Sequence, residues 1–155
     1  MNNPFARLLS SPRSRIVLAG IATFALIAII GAYVTVHDYY SYKDLKGLGA
    51  PARAWAFRFF VYWLFSAGTL AVATFLYQAA FEVLFRRGHR AAAALLFFTL
   101  PITLPLFHIL AFLPNFGWFV ARAEPGPFQT FFPLLATIAV LISINAIAKR
   151  KHLVA

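Results

Sequence analysis

Long runs of apolar residues, separated by short polar stretches, dominate the pattern along this chain. Four runs are long enough to be membrane-spanning helices, because about 20 apolar residues rising 1.5 Å each cross roughly 30 Å of hydrocarbon. The predicted spans are residues 16–36, 59–85, 91–113 and 131–148. The pattern therefore predicts an all-α, polytopic membrane protein whose single four-helix domain covers residues 16–148.

The connections between the spans predict how the helices are arranged. Residues 86–90 leave room only for a tight turn, so the second and third spans are expected to be antiparallel neighbours in an antiparallel bundle. Pro101 and Pro105 lie inside the third span, and each removes a helical hydrogen bond and frees a carbonyl one turn earlier. We therefore predict a kink there. It is either a bend that fits the helix around its neighbours, or a hinge or cation site of a transporter.

Composition supports the membrane assignment. The chain has 155 residues, of which 62% are hydrophobic and 12% are charged, whereas soluble domains are about a quarter charged. Its net charge of +10 comes from short basic clusters between apolar runs, which argues against a nucleic-acid-binding protein with a continuous basic surface. The chain has no cysteine, which excludes disulfides and thiolate metal sites.

The basic residues also predict an orientation, because cytoplasmic loops retain Lys and Arg. Nine of them flank the spans on the side of both termini, and five lie on the opposite side. We expect a multi-pass protein of the cell inner membrane, with a basic cytoplasmic segment at residues 1–15 and a basic cytoplasmic tail at residues 149–155. These clusters would bind anionic lipid headgroups.

Small residues predict where helices pack in lipid, because they let backbones approach closely. The small-residue stripes are Ala22, Ala25, Ala28 and Ala32 in the first span, Ser66, Thr69 and Ala73 in the second, and Ala136, Ala139, Ser143 and Ala146 in the fourth. We expect them to form the seams of the bundle or to contact a partner subunit. The 27 aromatic residues must in part face lipid, a neighbouring protein or a flat cofactor such as a quinone or pigment.

Two histidines are candidate ligand-binding residues, because polar groups at membrane depth are costly unless they are paired or used. His108 lies on the third span, and His37 closes the first span on the same side. Two imidazoles on different helices can ligate a haem or chlorin axially. The simpler alternative is that His108 is a hydrogen-bonded interior residue and His37 is solvated.

Glu82 is the one acidic residue within the predicted spans. Arg86 follows it by four residues, which is the favourable order for an ion pair on a helix. Asn145 near the end of the fourth span and Gln78 are the polar candidates closest to Glu82 in depth. We predict an ion-pair site here, with Glu82 as a proton carrier the alternative.

Catalytic motifs such as a phosphate-binding loop or a His-Glu-x-x-His metal helix are absent from the sequence, so we predict no enzyme and no metal site. The first hypothesis is a non-catalytic accessory or scaffold subunit of a larger inner-membrane complex, docking through aromatic and small-residue helix faces. The alternatives are a small oligomeric transporter or channel that uses the kinked helix and His108, and an electron-transfer subunit with haem on His37 and His108. Expected partners are lipids, other membrane subunits or further copies of the chain.

Overall fold

The computed structural model describes residues 11–46, 49–110 and 127–152, and these residues are helical apart from short turns. The five helices are α1 (Pro12–Lys46), α2 (Gly49–Arg86), α3 (Arg90–Phe98), α4 (Leu100–Leu110) and α5 (Pro127–His152). The all-helical prediction is therefore confirmed for the described part of the chain. The predicted termini at residues 1–10 and 153–155 and the end of the third span at residues 111–113 lie outside the described residues.

Three helical stretches are long and apolar enough to cross a membrane: Pro12–Tyr40, Arg53–Arg86 and Pro127–Ile147. The pair formed by α3 and α4 passes the same test when its two parts are taken together, with an angle of 62° between them. The helix α1 continues ten residues beyond the predicted end of its span at residue 36. Residues 37–46 contain neither proline nor glycine, so nothing in the sequence stops the helix there.

The turn between α2 and α3 is as short as the sequence predicts. Gly88 has a φ of 80°, a left-handed conformation that costs glycine nothing. Its N–H donates to the carbonyl of Phe85 at 3.2 Å, and the N–H of His89 donates to Leu84 at 3.0 Å. These bonds satisfy the last carbonyls of α2 and reverse the chain direction within three residues.

The inner face of α1, which packs against α2 and α5, is formed by residues that recur every fourth position. On α1 the buried row is Arg15, Ala19, Thr23, Ile27, Gly31 and Thr35. The predicted stripe is not this row, because Ala22, Ala25, Ala28 and Ala32 are only partly buried, although Ala28 packs against the core. Gly31 permits a close approach of α1 to α2, since a Cβ atom at this position would lie 2.5 Å from the ring of Trp63.

The predicted stripe on α5 also differs from the packing in the structure. Ala136 is buried, but Ala139, Ser143 and Ala146 are exposed. On α2 the stripe is correct for Ser66 and Ala73, which are buried. The small residues of α5 therefore contribute little to the seams formed by the described residues.

The contacts of α2 give the relative directions of the helices. Tyr62 meets the backbone of Gln129, and Gln78 meets Asn145; both pairs are separated by 67 residues, so α2 and α5 run parallel. The contacts of α2 with α3 and α4 pair falling residue numbers on α2 with rising numbers on the other two helices, so α3 and α4 run antiparallel to α2. The contacts there are Phe81 with Phe97, Tyr77 with Thr103 and Ser66 with His108.

The core lies around the middle of α2, which packs against α1, α3 and α5. Trp63 and Leu70 of α2 are fully buried, together with Ile27 of α1 and Leu104 of α4. The rings of Phe59, Tyr62 and Phe132 surround Trp63. Large apolar side chains also cover the outer faces of the helices, as expected for surfaces that face lipid.

Candidate functional site

A buried ion pair joins α1 to α2. The guanidinium of Arg15 donates from Nε to Oε1 of Glu82 at 2.6 Å and from Nη2 to Oε2 at 2.8 Å. The two side chains are only 10% and 6% exposed. Both carboxylate oxygens are thus engaged by a bidentate fork, the geometry in which arginine binds carboxylates most strongly.

Two amides extend this pair into a network across three helices. Gln78 donates to Asn145 Oδ1 at 3.1 Å, and Asn145 returns a bond to Gln78 Oε1 at 2.9 Å. Gln78 also donates to Glu82 Oε1 at 3.2 Å, and Asn145 donates to the carbonyl of Leu141 at 2.8 Å. We call Arg15, Gln78, Glu82 and Asn145 the polar network. Its members satisfy one another, as buried polar groups must in an apolar medium.

The predicted partner of Glu82 was therefore wrong. Arg86 is exposed, and among the described residues Glu82 forms its ion pair with Arg15. An exposed pair on one helix contributes only about 0.3–0.5 kcal/mol, whereas a buried carboxylate requires a partner that is itself inside the protein. Arg15 meets that requirement because it continues the buried row of α1. Asn145 and Gln78, the other polar candidates at this depth, both lie in the polar network with Glu82.

A second group of polar side chains lies farther along α2, toward the end where α5 begins. The hydroxyl of Tyr62 interacts with the side chains of Ser66 and Thr130 and donates to the carbonyl of Gln129 at 3.4 Å. Ser66 Oγ lies 3.5 Å from His108 Nε2. We call Tyr62, Ser66, His108 and Thr130 the histidine cluster; its members come from α2, α4 and α5.

A cavity of about 450 Å³ adjoins the histidine cluster between α4 and α5. Its lining consists of Pro101, Pro105, His108 and Ile109 of α4, and Thr130, Phe131, Leu134, Leu135 and Ile138 of α5. His108 and Thr130 thus belong both to the cluster and to the cavity wall. A largely apolar cavity with a few converging polar groups is the usual form of a small-molecule site.

The other candidate histidine lies elsewhere. His37 has a side chain 65% exposed and its Nδ1 is 3.4 Å from Asp38 Oδ1; its ring also stacks on Tyr33. It lies six residues beyond Gly31 on α1, and Gly31 contacts Trp63, three residues before Ser66 on α2. These steps separate His37 from the level of Ser66 and His108 by about 13 Å along the helices. Axial ligation of one iron requires both imidazoles to reach that iron, so this separation does not support the haem hypothesis.

The helix break lies just before the first of the two candidate hinge prolines. The helix breaks at Thr99, two residues before Pro101, and α4 then continues through Pro105. At the break the N–H groups of Ile102 and Thr103 both donate to the carbonyl of Thr99, at 3.1 and 2.9 Å. The hydroxyl of Thr103 also donates to this carbonyl at 2.9 Å, and it makes a short hydrogen bond with Tyr77 of α2.

The described residues contain no group of three or more His, Asp or Glu side chains placed to hold a metal ion. Comparisons with protein-family models, with curated proteins and with solved structures found no match to this chain. Proposals about function therefore depend on the geometry alone.

The sequence pointed to His108, Glu82 and Asn145, but it missed Arg15, Tyr62 and Thr130. Arg15 was counted only as a basic flank of the first span. The sequence does contain a signal for Arg15, which is a four-residue spacing: Arg15 precedes Ala19 by four residues and Thr23 by eight. The structure buries this row.

Proposed function

We propose that the chain crosses the membrane four times, with α3 and α4 forming the third crossing. Because α2 and α5 run parallel, the chain between them has to return along the bundle. The contacts from Phe97 through Thr103 to His108 advance steadily along α2 from Phe81 to Ser66, a distance of about 22 Å. A re-entrant loop would turn back, so this steady advance supports a broken span in an antiparallel bundle.

Pro101 causes the break in the third crossing in this arrangement. Proline has no N–H, so the carbonyl of Phe97 loses its partner one turn earlier, and the preceding residue is disfavoured in a helix. Beside the break, the hydroxyl of Thr99 donates to the carbonyl of Leu96 and that of Thr103 to the carbonyl of Thr99, the kind of hydroxyl-to-backbone bond that accompanies proline breaks in membrane helices. The excess of basic residues beside the first turn of α1 and the end of α2 supports an inner-membrane protein with both termini in the cytoplasm.

Our proposal for the function is a non-catalytic accessory or scaffold subunit of a larger membrane complex. The observation that carries it is the exposed small-residue face of α5, formed by Ala139, Ser143 and Ala146. Small residues permit close helix packing in lipid, and within the described residues this face is not used. The exposed Leu135 and Ile142 flank it, so apolar side chains are available to pack beside a helix of another subunit.

The polar network supports a structural role as well. Glu82 is engaged by Arg15 through both oxygens and by Gln78. A carboxylate held in this way joins helices and is not available to carry a proton. The network thus holds α1, α2 and α5 together and leaves the outer face of α5 as the surface for docking.

The test is the size of the complex extracted from native membranes in a mild detergent. Ala139→Leu combined with Ser143→Leu adds bulk to the docking face and should release the chain as a smaller species on sizing. Ala80→Leu makes the same change at an exposed position of α2 and should leave the complex intact. A wild-type chain that elutes alone, or a complex that survives the double substitution, would contradict the proposal.

A transporter or channel is the second candidate function, and one observation favours it. Polar residues recur every fourth position along one buried face of α2, at Ser66, Thr74, Gln78 and Glu82. Leu70 interrupts this row and is fully buried, and Thr74 donates to its backbone carbonyl at 2.6 Å. A transport path would have to pass Leu70. Ion flux into liposomes that rises in Leu70→Ser and stays at the wild-type level in Leu76→Ser, at an exposed position, would favour this function.

A further inference from the structure

We propose that the cavity between α4 and α5 binds a neutral lipophilic molecule with a carbonyl-bearing ring as its head and an apolar tail, the chemical class of the isoprenoid quinones. The cavity volume of about 450 Å³ lies within the range of roughly 300–1,000 Å³ that holds small ligands. Leu135 borders both this cavity and the docking face of α5, but ligand binding in the cavity does not require a partner subunit.

The lining of the cavity favours a neutral ligand. Seven of the nine described residues that line it are apolar, and none of these nine is Lys, Arg, Asp or Glu. A phosphate or carboxylate head would be buried without an opposite charge, which is strongly unfavourable in an apolar medium. A carbonyl oxygen requires only a hydrogen-bond donor.

The polar end of the cavity lies inside the hydrocarbon layer. His108 is level with Ser66, which lies seven residues after Phe59, where the predicted span begins. This places the imidazole about 10 Å below that boundary. The ester groups of a phospholipid remain at the interface, so the head that reaches His108 belongs to a molecule dissolved in the membrane itself.

The mouth of the cavity opens sideways. Phe131 and Leu135 border it and are 60% and 63% exposed, and Ile109 on the opposite wall is also exposed. These side chains lie at membrane depth and therefore face lipid. A lipophilic ligand can thus enter directly from the bilayer, without passing through water.

The histidine cluster supplies the recognition of the head. The distance of 3.5 Å from His108 Nε2 to Ser66 Oγ is at the long limit for a hydrogen bond, so this bond is weak. A ligand carbonyl placed beside Nε2 can replace the Ser66 hydroxyl as the partner of the imidazole. Thr130, also in the lining, adds a second polar side chain from the facing helix.

The experiment uses the full chain in nanodiscs of synthetic phosphatidylcholine, with decylubiquinone as the probe and tryptophan fluorescence quenching as the measurement. We expect a saturable component beyond the quenching caused by quinone dissolved in lipid. His108→Leu should weaken this binding about tenfold, the equivalent of 1.4 kcal/mol. Ile138→Phe should remove it by filling the cavity. Leu106→Phe is the control, because Leu106 is exposed on α4 and does not line the cavity.

Competition on the wild-type chain tests the head group without any substitution. Decylbenzene shares the tail but lacks the carbonyls, and oleate carries a negative charge. Each should restore the fluorescence quenched by decylubiquinone only at concentrations at least about tenfold above that of the quinone. Equal competition by decylbenzene would mean a site for apolar chains only, and stronger competition by oleate would mean a charged head. Either result, the absence of saturable binding, or wild-type affinity in His108→Leu would overturn the proposal.

Discussion

Breaking the ion pair between Arg15 and Glu82 is the most direct test of how the helices are held together. At an effective dielectric of about 20, two unit charges about 4 Å apart attract by about 4 kcal/mol, and desolvation of both groups offsets much of this. Removing only one partner leaves a buried charge unpaired, which costs about 3–5 kcal/mol. The pair lies near the end of its helices, where a long arginine can still reach water. We therefore expect Arg15→Met and Glu82→Met each to lose about 3 kcal/mol.

The double variant separates the pair from the rest of the network. Two methionines fill a similar volume without charge, so the loss should fall below about 1 kcal/mol. Gln78 keeps its two hydrogen bonds with Asn145 in that variant. The free energy of unfolding would be measured by titrating dodecyl sulfate into protein in mixed micelles, with the fluorescence of the buried Trp63 as one reporter.

Arg86→Met is the matched control, because Arg86 is the partner that the sequence favoured and is exposed in the structure. It should change stability by less than about 0.5 kcal/mol. A loss equal to that of Arg15→Met would show that Glu82 pairs within its own helix. A double variant that loses the sum of the single effects would show that the two charges do not act as a pair.

Two further predictions use the same unfolding measurement. Gly31→Ala places a methyl group against the ring of Trp63 and should reduce stability by about 1–3 kcal/mol through overpacking. Gly68→Ala, with open space around the glycine, should increase stability by roughly 0.5–1 kcal/mol. Equal effects of the two substitutions would contradict the close approach of α1 and α2. Tyr77→Phe removes the hydrogen bond to Thr103 and should reduce stability by about 1 kcal/mol. Tyr33→Phe, at an exposed position, should change stability by less than about 0.5 kcal/mol. Similar values for the two variants would show that the bond to Thr103 does not stabilise the helix break.

The helices could be predicted from the sequence because their length and apolar composition are local properties. Which face of a helix is buried was harder to predict. Lipid is as apolar as the interior of a bundle, so Ala22 and Ala25 look as suitable for a seam as Ala19 and Thr23. The side of α1 that packs on α2 is decided by Gly31, which fits Trp63 on another helix. That fit depends on residues distant in sequence.

The candidate sites were predictable in part for the same reason. The depth of His108 and Glu82 follows from their position within a span, and the sequence indicated both. Their partners could not be deduced, because Arg15 lies 67 residues from Glu82 and Ser66 lies 42 residues from His108. The break at Thr99 lies close to the prolines that the sequence identified, although its exact position depends on hydrogen bonds formed with Tyr77.

The four-residue spacing of the buried row on α1 has a consequence for handedness. An α-helix has 3.6 residues per turn, so a contact line that repeats every four residues drifts around the helix in the sense opposite to a heptad seam. Helices joined along such a line coil about each other to the right, as glycine-mediated membrane pairs do. We expect α1 and α2 to form a helical hairpin with a right-handed crossing. Gly31 lies near its middle, and the ion pair between Arg15 and Glu82 joins the two helices at its open end.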